Sequence, residues 1–241
     1  GRSYHPGELP LRCVASMGAL LGRFHRLTGP HSTAEDYGHD DRETALEQCR
    51  RLRERYRLHA EPFARVAEEV LEEQISLLEA LPDTFAAGLP TPRLTGVCYN
   101  SFWVEQVLFR PDGEVAALVD WTDGAGRIGF LVEDLDAGIH LSALGLEGIE
   151  AFVAGYQSEN PLPEQEWRAL AALLCYGHLA STNFLGGWFA RPYRRMQEWE
   201  ETSALWHRLV PRRFKARAQV EETILAASSA PLGSRYPGAA R

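Results

Sequence analysis

The chain has 241 residues, 45% of them apolar, and a formal net charge of −8 at pH 7. That content supports one substantial core or two small ones, and the acidic balance argues against nucleic acid as a partner. No apolar run approaches the roughly 18 residues a membrane-spanning helix needs, and the first residues lack a signal-peptide pattern. Cys13, Cys49, Cys98 and Cys175 are scattered and form no C-x-x-C pair. They read as reduced, buried thiols of a cytoplasmic protein, neither a disulfide frame nor a zinc site.

Residues 1–10 are polar and turn-rich, like a linker. Leu11–Thr28 is a predicted helix, with Val14, Met17, Leu20, Leu21, Phe24 and Leu27 on one stripe. His25 lies in this helix and reads as structural. Residues 29–41, rich in Gly, Pro, His and Asp, read as a solvated loop. A charged helix is expected over 43–59, and a second from Pro62 to about Leu81. A Gly-rich loop is expected at 122–129. Pro161 and Pro163 break the chain before an acidic helix start at Glu164 and Glu166. An apolar helix is expected over 167–189, a further one over 191–209 interrupted by Pro211, and a last one over 214–227. Residues 228–241 read as a flexible tail.

The stretch around which the chain is organised is 94–121, LTGVCYNSFWVEQVLFRPDGEVAALVDW. Val107, Leu108 and Phe109 form one apolar run, Pro111, Asp112 and Gly113 supply turn residues, and 115–119 form a second run. This is a β-hairpin pattern. It ends on Asp120, a carboxylate at a strand terminus, where side chains are held firmly yet open to solvent.

This stretch resembles the catalytic loop and metal-binding hairpin of the aminoglycoside phosphotransferase and choline kinase-like family. There the loop reads H-G-D-x-H-x-x-N, followed by two short strands ending in Asp-Trp or Asp-Phe. Aligned on Asp120, the metal-binding Asn falls on Gln106 and the catalytic Asp on Ser101. The two His positions fall on Tyr99 and Trp103, and the Gly falls on Asn100. Asp134, which opens the next helix, matches an Asp that in the family braces the catalytic loop. The resemblance implies a mainly helical α+β fold, the C-terminal lobe of a kinase-like architecture with one or two small β-hairpins. The resemblance covers about 11–209, within which FLVEDLDAGIHLSAL is similar to a family segment that opens a buried helix and IEAFVAGYQ to the family's helix ending in Gly-Tyr; the lobe is expected over about 11–227, and the N-terminal nucleotide lobe is expected to be missing from this sequence.

The resemblance keeps the frame and changes the chemistry. Kinases of this fold grip phosphates with a strand Lys upstream of the loop. The one lysine here, Lys215, lies far downstream, and no Gly-rich phosphate loop precedes the hairpin. Ser101 cannot take a proton near neutral pH, and loss of a general base costs ~10²–10⁴-fold in rate. Gln106 and Asp120 are the candidate metal positions. Glu105 is a candidate replacement carboxylate, with loop geometry expected to turn it away from the site. Tyr99, Asn100, Trp103, Asp123 and Glu133 are the candidate substrate-binding residues. The acids around the cleft suit a cationic small molecule or a basic peptide, or they are solvated loop charges and caps.

Three functions follow. The chain is a degenerate, pseudokinase-like lobe that binds a ligand or partner protein, or a homodimer, in a biosynthetic or maturation complex. Alternatively it is half of a split or truncated phosphotransferase, or its cleft has been turned to non-kinase chemistry. No cofactor is expected, with ATP and Mg²⁺ entering only where a partner supplies a nucleotide lobe.

Overall fold

The computed structural model describes residues 1–33, 37–58, 62–100, 102–119, 126–182, 185 and 196–230. In chain order the elements are α1 (Leu11–Thr28), β1 (Pro30–Thr33), α2 (Arg42–Arg57), α3 (Pro62–Glu79), β2 (Leu94–Cys98), β3 (Val107–Phe109) and β4 (Val115–Leu118). They continue with β5 (Arg127–Phe130), α4 (Leu131–Leu141), α5 (Leu146–Glu159), α6 (Glu164–Ala172), α7 (His178–Ala180), α8 (Met196–Lys215) and α9 (Arg217–Ser229). A π-helical turn spans Leu173–Gly177. None of the described helices is long and apolar enough to cross a membrane.

The chain forms two units. The first comprises residues 1–37, 90–171 and 218–241. Its three-stranded antiparallel sheet has the order β1-β2-β5, with β2 and β5 in register from Thr95 opposite Phe130 to Cys98 opposite Arg127. β3 and β4 make the hairpin, pairing Val107 with Leu118 and Leu108 with Ala117 before a bulge at Phe109 and Val115. Its turn works as the residue types require: Gly113 takes a φ of 96°, and Asp112 Oδ1 accepts the Glu114 N–H at 3.0 Å. Arg2, in the segment that reads as a linker, exchanges both backbone hydrogen bonds with Phe109 along the free side of β3.

α1 and α5 pack backbone to backbone, and three glycines make this possible. A Cβ at Gly18 would lie 2.1 Å from the Phe152 carbonyl oxygen, and one at Gly155 2.1 Å from that of Ala15. A Cβ at Gly22 would lie 2.6 Å from the Tyr156 carbonyl oxygen. Any larger residue would push the helices apart.

The second unit comprises residues 38–89 and 172–217. α2 opens on Asp41, whose side chain accepts the Thr44 N–H at 2.7 Å and caps the helix. Leu46, Cys49, Val70, Leu71, Leu78 and Val210 belong to its core. The buried hydroxyls find carbonyls, Tyr56 at Leu185 (2.6 Å) and Tyr176 at Asp40 (2.9 Å).

Four sequence expectations need correction. Residues 127–129, expected to close a Gly-rich loop, belong instead to strand β5, paired with β2. Pro30–Thr33 is not loop but strand β1, antiparallel to β2. Its short polar composition hid the pairing, because strand formation follows the available neighbour more than intrinsic preference. The helix expected to run from its acidic start at Glu164 through 189 does begin at Glu164, but it leaves helical geometry at Ser181, where ψ is 134°; residues 183, 184 and 186–195 lie outside the described ones. Pro211 does not interrupt its helix but sits inside α8. Proline removes one helical hydrogen bond, but buried Leu209, Val210 and Phe214 around it hold the segment in place. The break comes at Ala216, and α9 runs to Ser229.

Candidate active site

The site begins where β2 ends. The next residue, Tyr99, gives its backbone N–H to Asp134 Oδ2 at 2.5 Å, and Asn100 gives its own to Oδ1 at 2.6 Å. Asp134 sits in the first turn of α4 and is 1% exposed. One buried carboxylate thus fixes two consecutive peptides of the loop. Asn100 has a φ of 64°. This left-handed conformation suits Gly, and Asn tolerates it better than other side chains. The residue aligned with the family's Gly therefore occupies a backbone position that calls for Gly or Asn.

Asp134 is held in turn from behind. His25 Nε2 lies 3.0 Å from Asp134 Oδ2, and His25 Nδ1 lies 2.8 Å from the Tyr156 hydroxyl. The Asn160 side-chain amide donates to that hydroxyl at 2.8 Å. His25 thus bridges the Tyr156 hydroxyl and the Asp134 carboxylate through its two ring nitrogens. Burial raises the Tyr156 pKa well above its ordinary value, keeping this hydroxyl neutral. The close approach of α1 and α5 places His25 against Tyr156.

The far end of the site is pinned as well. The Val119 N–H donates to the Gln106 carbonyl at 2.8 Å, and the Tyr99 hydroxyl donates to the Val119 carbonyl at 2.6 Å. Val119, the residue before Asp120, is thus held on both sides. Ser101, Asp120 and Asp123 lie outside the described residues.

The other candidates are spread around this frame. Tyr99 is 1% exposed, its ring edge-on to Phe102 at 6.0 Å. Trp103 is half-buried and Gln106 is buried. Glu105 is on the surface, its Oε1 3.4 Å from His5 Nδ1. Glu133 is exposed overall, but its carboxylate lies close beside Gly129 and Cys98. Burial of that carboxyl raises its pKa, with Asp134 and Asp136 adding to the rise and hydrogen bonding from Phe130 opposing it. The structure brings together Tyr99, Asn100 and Gln106, and it leaves Glu105 apart on the surface.

Comparison with known proteins decides the family. The model of the phosphotransferase enzyme family (APH) matches residues 1–173, well over half of the chain. The chain belongs to this family. Among solved structures, it resembles an aminoglycoside phosphotransferase from Alicyclobacillus acidocaldarius, with a TM-score of 0.51 and 16% identity. That match covers 95% of this chain and 69% of the other, and at this identity it speaks for the fold alone. A candidate aminoglycoside phosphotransferase from Ralstonia eutropha JMP134 aligns at 13% identity over 95% of this chain and 70% of its own. Its TM-score of 0.34 carries no weight. No curated protein matches the chain.

Of the two positions this family uses for a metal, Gln106 is the described one. It offers a neutral amide oxygen, too little by itself to hold Mg²⁺. Elsewhere, His25, Cys98 and Asp134 bring three potential ligand atoms within 4.8 Å of one another, all buried. Two of the three are committed to the hydrogen bonds above. Burial, with the charges of Asp134 and Glu133 nearby, raises the Cys98 pKa and keeps it a thiol. This cluster is a structural brace.

Sequence reasoning missed two contributors. His25 reads as structural, but nothing in its helix points to Asp134, Tyr156 and Asn160 as partners. Glu166 reads as a favourable helix-start charge, yet it is 1% exposed. Its Oε1 accepts the Arg93 and Leu94 N–H groups at 2.8 and 3.2 Å, fixing the start of β2, while Oε2 is buried with no hydrogen-bond partner among the described residues.

Proposed function

We propose that this chain is a phosphotransferase-family lobe that binds a ligand or partner and does not itself transfer phosphate from ATP. The observation that carries this reading is a contrast within one loop. The Asp134 brace on Tyr99 and Asn100 is intact. The positions that would orient a nucleophile and hold a metal are instead Ser101 and the buried Gln106. Catalysis in this fold is positioning plus electrostatic stabilisation, and both need those groups. The acids Asp120, Asp123 and Glu133 favour a cationic small molecule or a basic peptide as ligand. Partner protein or homodimer formation belongs to the same reading.

Thermal denaturation with and without millimolar ATP and Mg²⁺ tests this. A ligand at a hundred times its Kd stabilises by ~2.7 kcal/mol, several degrees in Tm for a chain of this size. The expected result is no shift and no ADP formation with aminoglycosides. A shift of that size with turnover would overturn the reading.

A second reading is supported by the 69% coverage of the Alicyclobacillus chain. In it, this lobe works with a nucleotide lobe carried elsewhere, and ATP with Mg²⁺ binds only to the assembly. Co-purification of a chain bearing a Gly-rich loop and a strand Lys would favour it.

A further inference from the structure

We propose that residues 1–9 are a strap latched at Ser142 together with the turn at Val104–Gln106, so that strap and turn open as one unit. This coupling holds whatever the chain binds. Through it, a partner that displaces the strap loosens the turn that carries Gln106.

Three local features build the strap. Arg2 pairs with Phe109 as an added strand, and the Tyr4 ring stands edge-on to the Phe109 ring with centroids 5.7 Å apart. His5-Pro6-Gly7-Glu8 then forms a β-turn with Pro second and Gly third, the residues that a left-handed third position favours. Gly7 has a φ of 85°, and the Glu8 N–H donates to the His5 carbonyl at 3.1 Å. Beyond Pro6, the Gly7 N–H donates to the Ser142 carbonyl at 2.9 Å.

Ser142 is where the strap meets the turn. It closes α4 and is 0% exposed. While its carbonyl receives Gly7, its side-chain Oγ receives the Val104 N–H at 2.9 Å. Val104 opens the short helical turn that ends at Gln106, whose N–H donates to the Trp103 carbonyl at 3.1 Å. One buried residue thus serves two segments about a hundred positions apart. The next residue, Ala143, has a φ of 56°. That left-handed conformation is costly for a residue other than Gly, so the corner keeps its shape only while its contacts hold it. A corner that relaxes moves both Ser142 oxygens, and losing one contact therefore weakens the other.

Arg2→Pro removes the N–H that pairs with the Phe109 carbonyl and touches neither Ser142 nor Val104. In the full chain, NMR hydrogen exchange should speed up at the Gly7 and Val104 amides together, on the order of tenfold, the worth of about one buried hydrogen bond. The Tyr99 and Asn100 amides, held by Asp134, should keep their protection. Ser142→Ala reads the coupling from the other side. It keeps the carbonyl that Gly7 bonds and removes only the acceptor of Val104, yet exchange at Gly7 should rise with that at Val104. A change at only one of the two amides, or at neither, in a folded variant overturns the proposal. So does acceleration of equal size throughout the chain, which would make the variants merely destabilising. Should one variant fail to fold, the other decides by the same two amides.

Discussion

His25 and Asp134, 109 residues apart, meet in the interior with Nε2 3.0 Å from Oδ2, and neither side chain is more than 1% exposed. This pair carries the loop. Asp134 accepts from His25 and from two loop peptides, so both of its oxygens are engaged. Asp134→Ala should therefore cost roughly 3–5 kcal/mol, because it strands three buried donors at once. Urea unfolding measures this, and a loss under about 1 kcal/mol would show that the brace matters little to folding.

Asn100 separates backbone strain from side-chain chemistry. Its φ of 64° costs an ordinary L-residue roughly 1–2 kcal/mol. Asn100→Ala should destabilise by about that much, and Asn100→Gly should be near neutral. Equal losses for both variants would instead assign the effect to the Asn100 side chain, whose amide donates to the Cys98 carbonyl at 3.3 Å.

The α1–α5 contact allows a sharper contrast. In an open helix Gly→Ala gains up to about 1 kcal/mol from propensity. At Gly18 and Gly155 the new methyl would meet a backbone carbonyl 2.1 Å away, which cannot rotate aside. Overpacking should win, and either variant should lose about 1–3 kcal/mol or more. Gly88→Ala, with nothing within 4 Å of the added carbon, is the control and should leave Tm unchanged.

Glu166 predicts a pH dependence. Burial raises its carboxyl pKa, while the Arg93 and Leu94 N–H groups and the Arg93 charge pull it down. The folded pKa thus lies above the unfolded value of about 4.3. Its stabilising contribution is complete below the unfolded value and is lost as pH rises through the folded one. Glu166→Gln keeps an oxygen for both N–H groups and removes the buried charge. The variant should gain on wild type as pH rises from 4 to 8 in paired urea titrations. A difference that stays flat with pH would show that the charge is not penalised in the fold.

The chain's local order fixed a good deal. Apolar periodicity placed α1 at Leu11–Thr28, and the Pro-Asp-Gly turn between two apolar runs placed β3 and β4. These features depend on neighbours within a few residues, so a linear pattern suffices to reveal them. The resemblance to the phosphotransferase family marked Asp134 as the bracing acid. Tertiary structure alone decided the rest. β1 forms because β2 offers it a free edge, α8 carries Pro211 because its flanks are buried, and Tyr99 meets Val119 only once the hairpin has closed. His25 finds Tyr156 because Gly18, Gly22 and Gly155 let α1 and α5 touch backbone to backbone. Such contacts join residues far apart in the chain, and side-chain identity says what each group can bond to without saying which distant group folding will set beside it.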